Sequence, residues 1–166
     1  MELFFKYLKY EKRYSPHTLT SYHTDLGQFS LYLEQVYQIT DPAEADHTII
    51  RSWLLTLVQN NIKPRSINRK IACLRAYYRF LLSQQQISVN PMVRIKAPKA
   101  PKKLPAFVPE ESFNTLLDSF EFESTFEGQR DRLILEFLYG TGIRLAELIN
   151  ISETDIDLRA QTVRVL

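Results

Sequence analysis

The most regular hydrophobic pattern in the chain follows Ser15-Pro16 and ends before Asp41-Pro42. Apolar residues there recur three or four positions apart: Leu19, Tyr22, Leu26, Phe29, Leu33 and Val36. This spacing predicts an amphipathic helix whose aromatic residues face a core. Serine is a good helix cap and proline is tolerated at the first helical position, so Ser15-Pro16 indicates the start of the helix.

Three further helices are predicted in the first half of the chain. A short one covers Glu2 to Lys12, another runs from Asp46 to about Asn60, and a third from Lys63 to about Leu82. The middle helix has apolar residues on one side: Ile50, Trp53, Leu54, Leu57 and Val58. Trp53 fits that buried side better than it fits a nucleobase-stacking role.

The helix after Lys63 has two distinct faces. At about 100° per residue, five apolar residues fall within about 80° of one another: Ile67, Ile71, Leu74, Tyr78 and Leu81. Four arginines occupy an adjacent sector about 120° wide: Arg65, Arg69, Arg75 and Arg79. One face can pack on a helical bundle, and the other can contact DNA or remain a basic, solvated surface.

A proline- and lysine-rich stretch divides the chain. We predict a helical domain over residues 1–95, a linker over 96–107 and a second domain over 108–166. In the second domain, Pro109 precedes a helix with acids in its first turn, which the helix dipole favours.

The second domain is predicted to contain both helix and strand. A loop covers Glu121 to Gly128, and the apolar helix from about Gln129 to Tyr139 is expected at the centre of the second core. Alternation from Gln161 to Leu166 predicts a β-strand. The predicted fold is therefore mainly α, with an α+β second domain.

Charge is distributed unequally between the two predicted domains. The net charge of +2 combines +9 over residues 1–107 with −7 over residues 108–166. No acidic residue occurs from His47 through Pro109, where twelve residues are basic. A surface of this kind is typical of polyanion binding, although a solvated basic face remains the alternative.

Other compositional features exclude several classes of protein. Cys73 is the only cysteine, so no disulfide forms within one chain, and a reducing cytoplasm is expected. His17, His23 and His47 lack metal-ligand spacing, so we expect no metal and no other cofactor. No apolar run is long enough for a membrane span, and no membrane partner is expected.

Arg144 follows a Gly-Thr-Gly break, and Glu147 lies one helical turn further on. The two glycines allow a tight chain reversal before a helix that has Arg144 in its first turn. A guanidinium beside exposed backbone N–H groups suits a bound phosphate. Glu147 either supports that guanidinium or is an ordinary surface glutamate.

Several separate stretches resemble the tyrosine recombinases of the phage-integrase family, in particular the Xer type. They are Ser15-Pro16-His17-Thr18-Leu19 with Asp25-Leu26, Arg65-Ser66-Ile67-Asn68-Arg69-Lys70-Ile71, Asn90-Pro91, and Gly142-Ile143-Arg144 with Glu147-Leu148. Any one of these is weak evidence, but their order and spacing together are fairly specific.

The resemblance implies a SAM-like core-binding domain and the start of a catalytic domain, which together enclose double-stranded DNA. Arg144 would be catalytic, supported by Glu147. Thirteen residues are expected to bind DNA: Lys12, Arg13, Ser15, Thr18, Lys63, Arg65, Ser66, Asn68, Arg69, Lys70, Arg75, Lys96 and Lys99. The family also implies a partner recombinase subunit, within a tetramer on DNA.

Other catalytic parts of the family are not found in the 166 residues. The resemblance implies a lysine, a His-x-x-Arg motif, a further His or Trp, and a nucleophilic tyrosine beyond Leu166. We therefore expect this chain to bind DNA without cutting it, and its incomplete second domain to favour dimerisation. The alternatives are a non-catalytic DNA-binding module or regulator, and a helical domain that binds an acidic protein.

Overall fold

The computed structural model describes residues 1–101, 104 and 106–165. The chain separates into two compact units, Met1–Lys103 and Leu104–Leu166. This division lies inside the predicted linker of residues 96–107. The described residues are mainly helical, with one short pair of strands, so the prediction of a mainly α chain is confirmed.

The first unit is built from helices alone in its described part. Its elements in chain order are α1 (Glu2–Lys6), a π-helical turn (Tyr7–Glu11), α2 (Pro16–Tyr37), a 3-10 helix (Pro42–Glu44), α3 (His47–Gln59), α4 (Pro64–Ser83) and a second 3-10 helix (Pro91–Arg94).

Side-chain caps begin two of these helices at the predicted positions. Ser15 Oγ accepts a hydrogen bond from the Thr18 N–H at 3.3 Å and caps α2. Asp46 Oδ1 accepts from the two N–H groups of Thr48 and Ile49, both at 2.9 Å, and caps α3. Each carboxylate or hydroxyl oxygen satisfies donors that the first helical turn leaves unpaired.

The core of the first unit combines aromatic and aliphatic side chains, and α4 contributes many of them. Phe29 and Trp53 bring α2 against α3 with their ring centroids 4.9 Å apart. The Phe4 ring of α1 meets Tyr77 of α4 edge-on at 5.3 Å. Trp53 is only 3% exposed, which confirms the prediction that it is a core residue.

The buried stripes of α2 and α3 stop short of the helix ends. Val36 and Val58 were expected to face the core, but they are 56% and 54% exposed. Both lie in the last turn of their helices, where the apolar stripe extends beyond the core.

The second unit has short helices followed by a small hairpin. Its elements are α5 (Glu110–Ser119), α6 (Phe126–Thr141), α7 (Leu145–Ile149), a 3-10 helix (Glu153–Asp155), β1 (Ile156–Asp157) and β2 (Thr162–Val163). The two strands are antiparallel, with Ile156 opposite Val163. The strand predicted over 161–166 is therefore shorter than expected, and its last residue lies outside the described residues. Its partner β1 was not predicted.

Helix α6 differs from its prediction in both extent and burial. It begins three residues before Gln129 because Thr125 Oγ1 caps it by accepting from the Gly128 N–H at 3.2 Å. None of its residues is buried, and Leu133 is 60% exposed. The expectation that α6 forms the centre of a second core is wrong for the described chain, where Leu117 is the only buried apolar residue of this unit. Apolar side chains point to several sides of α6, and the short neighbouring helices cover only part of them.

Candidate nucleic-acid interface

Helix α4 separates its basic and apolar sides as the sequence predicts. Its four arginines, at positions 65, 69, 75 and 79, are all exposed, and its apolar side packs in the core. Lys63 is exposed at the N-cap position, and Ser66 is half-buried in the first turn. The exposed cations thus follow the length of one helix, which is the arrangement that a linear polyanion requires.

Lys70 is the exception to the predicted basic surface. It is only 5% exposed, and its Nζ donates to Asp25 Oδ1 at 2.8 Å and to Gln28 Oε1. The ammonium also lies 5.9 Å from the centre of the Trp53 ring. Lys70 shares the buried face of α4 with Ile71 and its neighbours, so we remove it from the predicted DNA-binding set.

Asp25 on α2 also binds Arg69. Asp25 Oδ2 accepts from Arg69 Nη1, and the same nitrogen donates to the Ser21 carbonyl oxygen at 3.2 Å. Asp25 is 1% exposed, whereas the Arg69 side chain is 42% exposed. The sequence contained a usable signal for this pair, because Asp25 lies in the apolar stripe of α2 beside Leu26, where a buried carboxylate requires a cation.

Asn68 and Arg75 hold the backbone that follows the bundle. Asn68 Nδ2 donates to the Pro98 carbonyl oxygen at 3.0 Å, and Arg75 Nη2 donates to the Ile95 carbonyl oxygen at 2.8 Å. Asn68 Oδ1 is enclosed without a hydrogen-bond partner in the described part of the chain. The first residues of the predicted linker therefore lie against α4, although the first domain was predicted to end at residue 95.

These contacts leave two lysines of the linker exposed, Lys96 and Lys99. Lys102, Lys103 and Pro105 of the same stretch lie outside the described residues.

The predicted N-terminal DNA contacts lie near the start of α2. Three of them are exposed and the fourth is half-buried: Lys12, Arg13, Ser15 and Thr18. Ser15 Oγ and Thr18 Oγ1 are 2.9 Å apart, so the two hydroxyls hydrogen-bond each other at the helix cap. Thr18 precedes Ser21 by one helical turn, and the Ser21 carbonyl binds Arg69. This end of α2 therefore lies beside the basic face of α4.

Burial keeps one thiol and two tyrosine hydroxyls of the first unit protonated. Burial raises the pKa of the Cys73 thiol to about 12 and that of the Tyr77 hydroxyl to about 12. Burial also raises the pKa of Tyr78, whose hydroxyl donates to the Pro42 carbonyl at 2.6 Å. These groups are consequently protonated near neutral pH and are poor nucleophiles.

Arg144 is the N-cap residue of α7 in the second unit. Gly142 ends α6 with a φ of 66°, so the reversal uses this glycine, while Gly140 remains helical. Glu147 Oε2 accepts from the Arg144 N–H at 2.8 Å, and Oε1 accepts from Nη1 at 2.5 Å. The Arg144 side chain is 84% exposed, whereas that of Glu147 is 24% exposed.

Glu147 therefore holds both the backbone and the guanidinium of Arg144. The hydrogen bond from the Arg144 backbone, followed by that from its side chain, lowers the pKa of Glu147 below its ordinary value. The carboxylate remains ionised at neutral pH, and it leaves most of the Arg144 guanidinium open to an anion.

Residues 1–101, 104 and 106–165 contain neither a metal-ligand cluster nor a membrane-spanning helix. No group of three or more His, Cys, Asp or Glu side chains is placed to hold a metal ion. No helix in this part of the chain is both long enough and apolar enough to cross a membrane.

Comparison with known families defines the class of the protein. Residues 1–85 match the domain described as "Phage integrase, N-terminal SAM-like domain". Residues 107–166 match the description "Phage integrase family". The first match alone covers more than half of the chain, and the chain belongs to the phage integrase family.

Known relatives refine this assignment to the Xer type. The chain is 42% identical over 159 residues to the tyrosine recombinase XerC of Staphylococcus saprophyticus, which covers 96% of this chain and 53% of that protein. It is 41% identical over 165 residues to XerC of Staphylococcus carnosus, covering 99% of this chain and 55% of that protein. The predicted resemblance to Xer-type tyrosine recombinases is confirmed. The chain spans about half the length of these relatives.

A solved structure shares the fold at much lower sequence identity. The integrase of transposon Tn1549, solved in complex with circular-intermediate DNA, aligns with a TM-score of 0.68 at 18% identity. The alignment covers 99% of this chain and 53% of the integrase chain.

Proposed function

We propose that this chain binds duplex DNA as part of a site-specific tyrosine recombinase. The match of both units to the phage integrase family carries the proposal. The exposed arginine face of α4 supports it physically, because phosphate neutralisation supplies a large share of the affinity of such proteins for DNA. The finer proposals are a cytoplasmic location and assembly with a partner recombinase subunit.

The proposed DNA surface joins the start of α2 to the exposed side of α4. Its members are exposed or half-buried polar and basic residues: Lys12, Arg13, Ser15, Thr18, Lys63, Arg65, Ser66, Arg69, Lys96 and Lys99. Arg75 and Asn68 act indirectly, because their hydrogen bonds hold the backbone on either side of Lys96.

Salt dependence tests this surface directly. Binding of the chain to duplex DNA should weaken steeply between 50 mM and 200 mM salt, by roughly 10³-fold or more if six or more phosphates are contacted. The variant Arg65→Ala should reduce the slope of log affinity against log salt by about 0.9. Arg159→Ala removes one exposed arginine from the acidic second unit and serves as the matched control. A shallow slope in the unmodified chain would refute the proposal.

Arg144 is proposed to bind the scissile phosphate in the recombination reaction. In this family a tyrosine attacks the phosphodiester, and the leaving sugar oxygen departs as a 3′-phosphotyrosyl link forms. Negative charge develops on the non-bridging oxygens, which a planar guanidinium can hold through two hydrogen bonds. Glu147 would keep Arg144 in place through its hydrogen bonds to the backbone and Nη1.

The substitution Arg144→Lys separates DNA binding from cleavage. In a protein that also carries the tyrosine and the other catalytic residues, the variant should retain DNA affinity. It should lose cleavage, since removing one such donor costs about 3–4 kcal/mol of barrier. Cleavage of a suicide DNA substrate, followed as covalent protein–DNA complex on a denaturing gel, measures the effect. Normal cleavage by the variant would remove Arg144 from the mechanism.

One feature of the first unit favours the alternative of an acidic protein partner. A groove of about 580 Å³ lies between α3, α4 and the segment Arg94 to Pro98. Its floor includes Leu54 and Ile71, and its rim includes Arg51 and Lys96. An acidic, amphipathic peptide would fit this surface better than DNA would. Salt separates the two partners, because the apolar contacts of a peptide in this groove should persist at a salt concentration that releases DNA.

A further inference from the structure

A buried anchor lies beneath one of the exposed arginines of α4. Arg69 Nη1 donates to Asp25 Oδ2 and to the Ser21 carbonyl oxygen, and both acceptors belong to α2. We propose that Asp25 is a positioning residue, which holds the Arg69 guanidinium so that its opposite edge binds an acceptor pair on duplex DNA. This inference rests on the proposed DNA-binding function and deepens it.

The hydrogen-bond count determines which edge of Arg69 is available. A guanidinium has five N–H donors, two of which belong to Nη1. Asp25 and Ser21 accept from Nη1, and neither Nε nor Nη2 has a partner within the described part of the chain. Nε and Nη2 form one edge of the planar group, and two parallel donors on one edge suit bidentate recognition.

The charge balance of the cluster leaves one positive charge that an external anion can neutralise. Asp25 carries one negative charge between two cations, Arg69 and Lys70. The Lys70 side chain is 6% exposed and that of Arg69 is 42% exposed. The excess positive charge therefore lies at the surface, on the arginine, where a DNA group can neutralise it.

Phosphate oxygens and the O6/N7 edge of guanine offer the same pair of acceptors. The two sources are distinguishable by experiment. Loss of a phosphate contact weakens binding to every DNA sequence equally, and it lowers the slope of log affinity against log salt. A guanine contact mainly reduces the preference for the correct site. Either result for Arg69→Ala supports the proposal, whereas unchanged affinity and preference overturn it.

The substitution Asp25→Asn tests the positioning role through the sign of its effect. Removing an acid from a DNA-binding unit should strengthen binding if only net charge matters. Asp41→Asn is the matched control, because Asp41 is exposed and caps a short helix without touching any arginine. We expect Asp41→Asn to leave affinity unchanged or raised, and Asp25→Asn to lower it by about five-fold or more. Tighter binding by Asp25→Asn would overturn the proposal.

A double-mutant cycle distinguishes positioning from a general structural effect. If Asp25 acts through Arg69, Asp25→Asn should cause no further loss of affinity in an Arg69→Ala background. Additive losses would show that Asp25 acts elsewhere and would refute the inference. The unmodified chain serves as the reference for both proposals. If it lacks salt-sensitive DNA binding, the proposed function itself fails.

A measurement on the unmodified chain covers the case in which Asp25→Asn does not fold. The Arg69 Nε–H resonance, assigned with Arg69→Lys, should shift and become protected from solvent exchange when duplex DNA is added. The Arg51 Nε–H on α3 serves as an internal comparison. An Arg69 signal that is unmoved at saturating DNA would refute the proposed contact.

Discussion

Replacement of Lys70 by methionine separates the structural role found here from the DNA-binding role that the sequence predicts. Methionine has a similar length and no charge, so Asp25 would lose one of its two cations. Removing one partner of a buried ion pair typically costs about 3–5 kcal/mol. Arg69 remains bound to Asp25, so we expect a value near the lower end, about 3 kcal/mol.

Tryptophan fluorescence in a urea titration measures this loss. Trp53 is the only tryptophan in the chain and is buried in the first unit, so its signal reports on that unit. In a thermal unfolding experiment, the same loss of about 3 kcal/mol lowers the melting temperature of a domain of this size by roughly 12 °C or more. Because Lys70 lies beside the Trp53 ring, its replacement changes the fluorescence intensity directly. The variants are therefore compared by the midpoint of the unfolding transition.

Lys63→Met is the matched control, since Lys63 is exposed at the start of the same helix. It should leave the unfolding midpoint unchanged and should lower the salt slope of DNA binding. Lys70→Met should show the reverse pattern. An unchanged midpoint together with a reduced salt slope for Lys70→Met would refute the buried-anchor interpretation.

Three further predictions concern other parts of the chain. Tyr78→Phe leaves the Pro42 carbonyl without its buried donor and should cost about 1–3 kcal/mol in the same urea assay; no loss would mean that the hydrogen bond is absent in solution. Hydrogen bonds from Ser152 and Arg164 lower the pKa of Asp155 to about 2. The stability that these bonds give to the second unit is therefore complete above about pH 4. It should be lost as the pH falls through 2, and a carboxyl ¹³C titration with a midpoint near 4 would contradict this. Gly142→Ala forces a side chain into a left-handed conformation with φ of 66° and should cost about 1 kcal/mol, measured by thermal unfolding followed by circular dichroism.

Local chemistry accounts for what could be predicted correctly. Helix starts depend on a few adjacent residues, so the cap at Ser15 and the start of α3 at Asp46 were predicted from the sequence. The two faces of α4 follow from its period of 3.6 residues. Motif order was enough to predict the family, which the comparisons confirm.

The burial of side chains in the second unit could not be predicted from the sequence in the same way. The apolar content of α6 suggested a central helix, yet exposure depends on which other elements cover each side. The described part of the unit covers one side only, where the Phe113 ring stacks on Tyr139 at 3.9 Å. Hydrophobicity along one helix cannot specify its neighbours.

The amino-acid sequence by itself determined the helical bundle, the basic stretch without acids and the order of the family motifs. These depend on neighbours within a turn or two, or on composition alone. Only the tertiary structure decided which polar side chains of α4 face solvent and which are used internally. Lys70 and Arg69 are adjacent in sequence, but Asp25 lies more than forty residues earlier and holds one in the core and the other at the surface. The helical period of α4 places Lys70 beside its apolar face, but only the packing of α2 on α4 places the buried carboxylate that pairs with both cations.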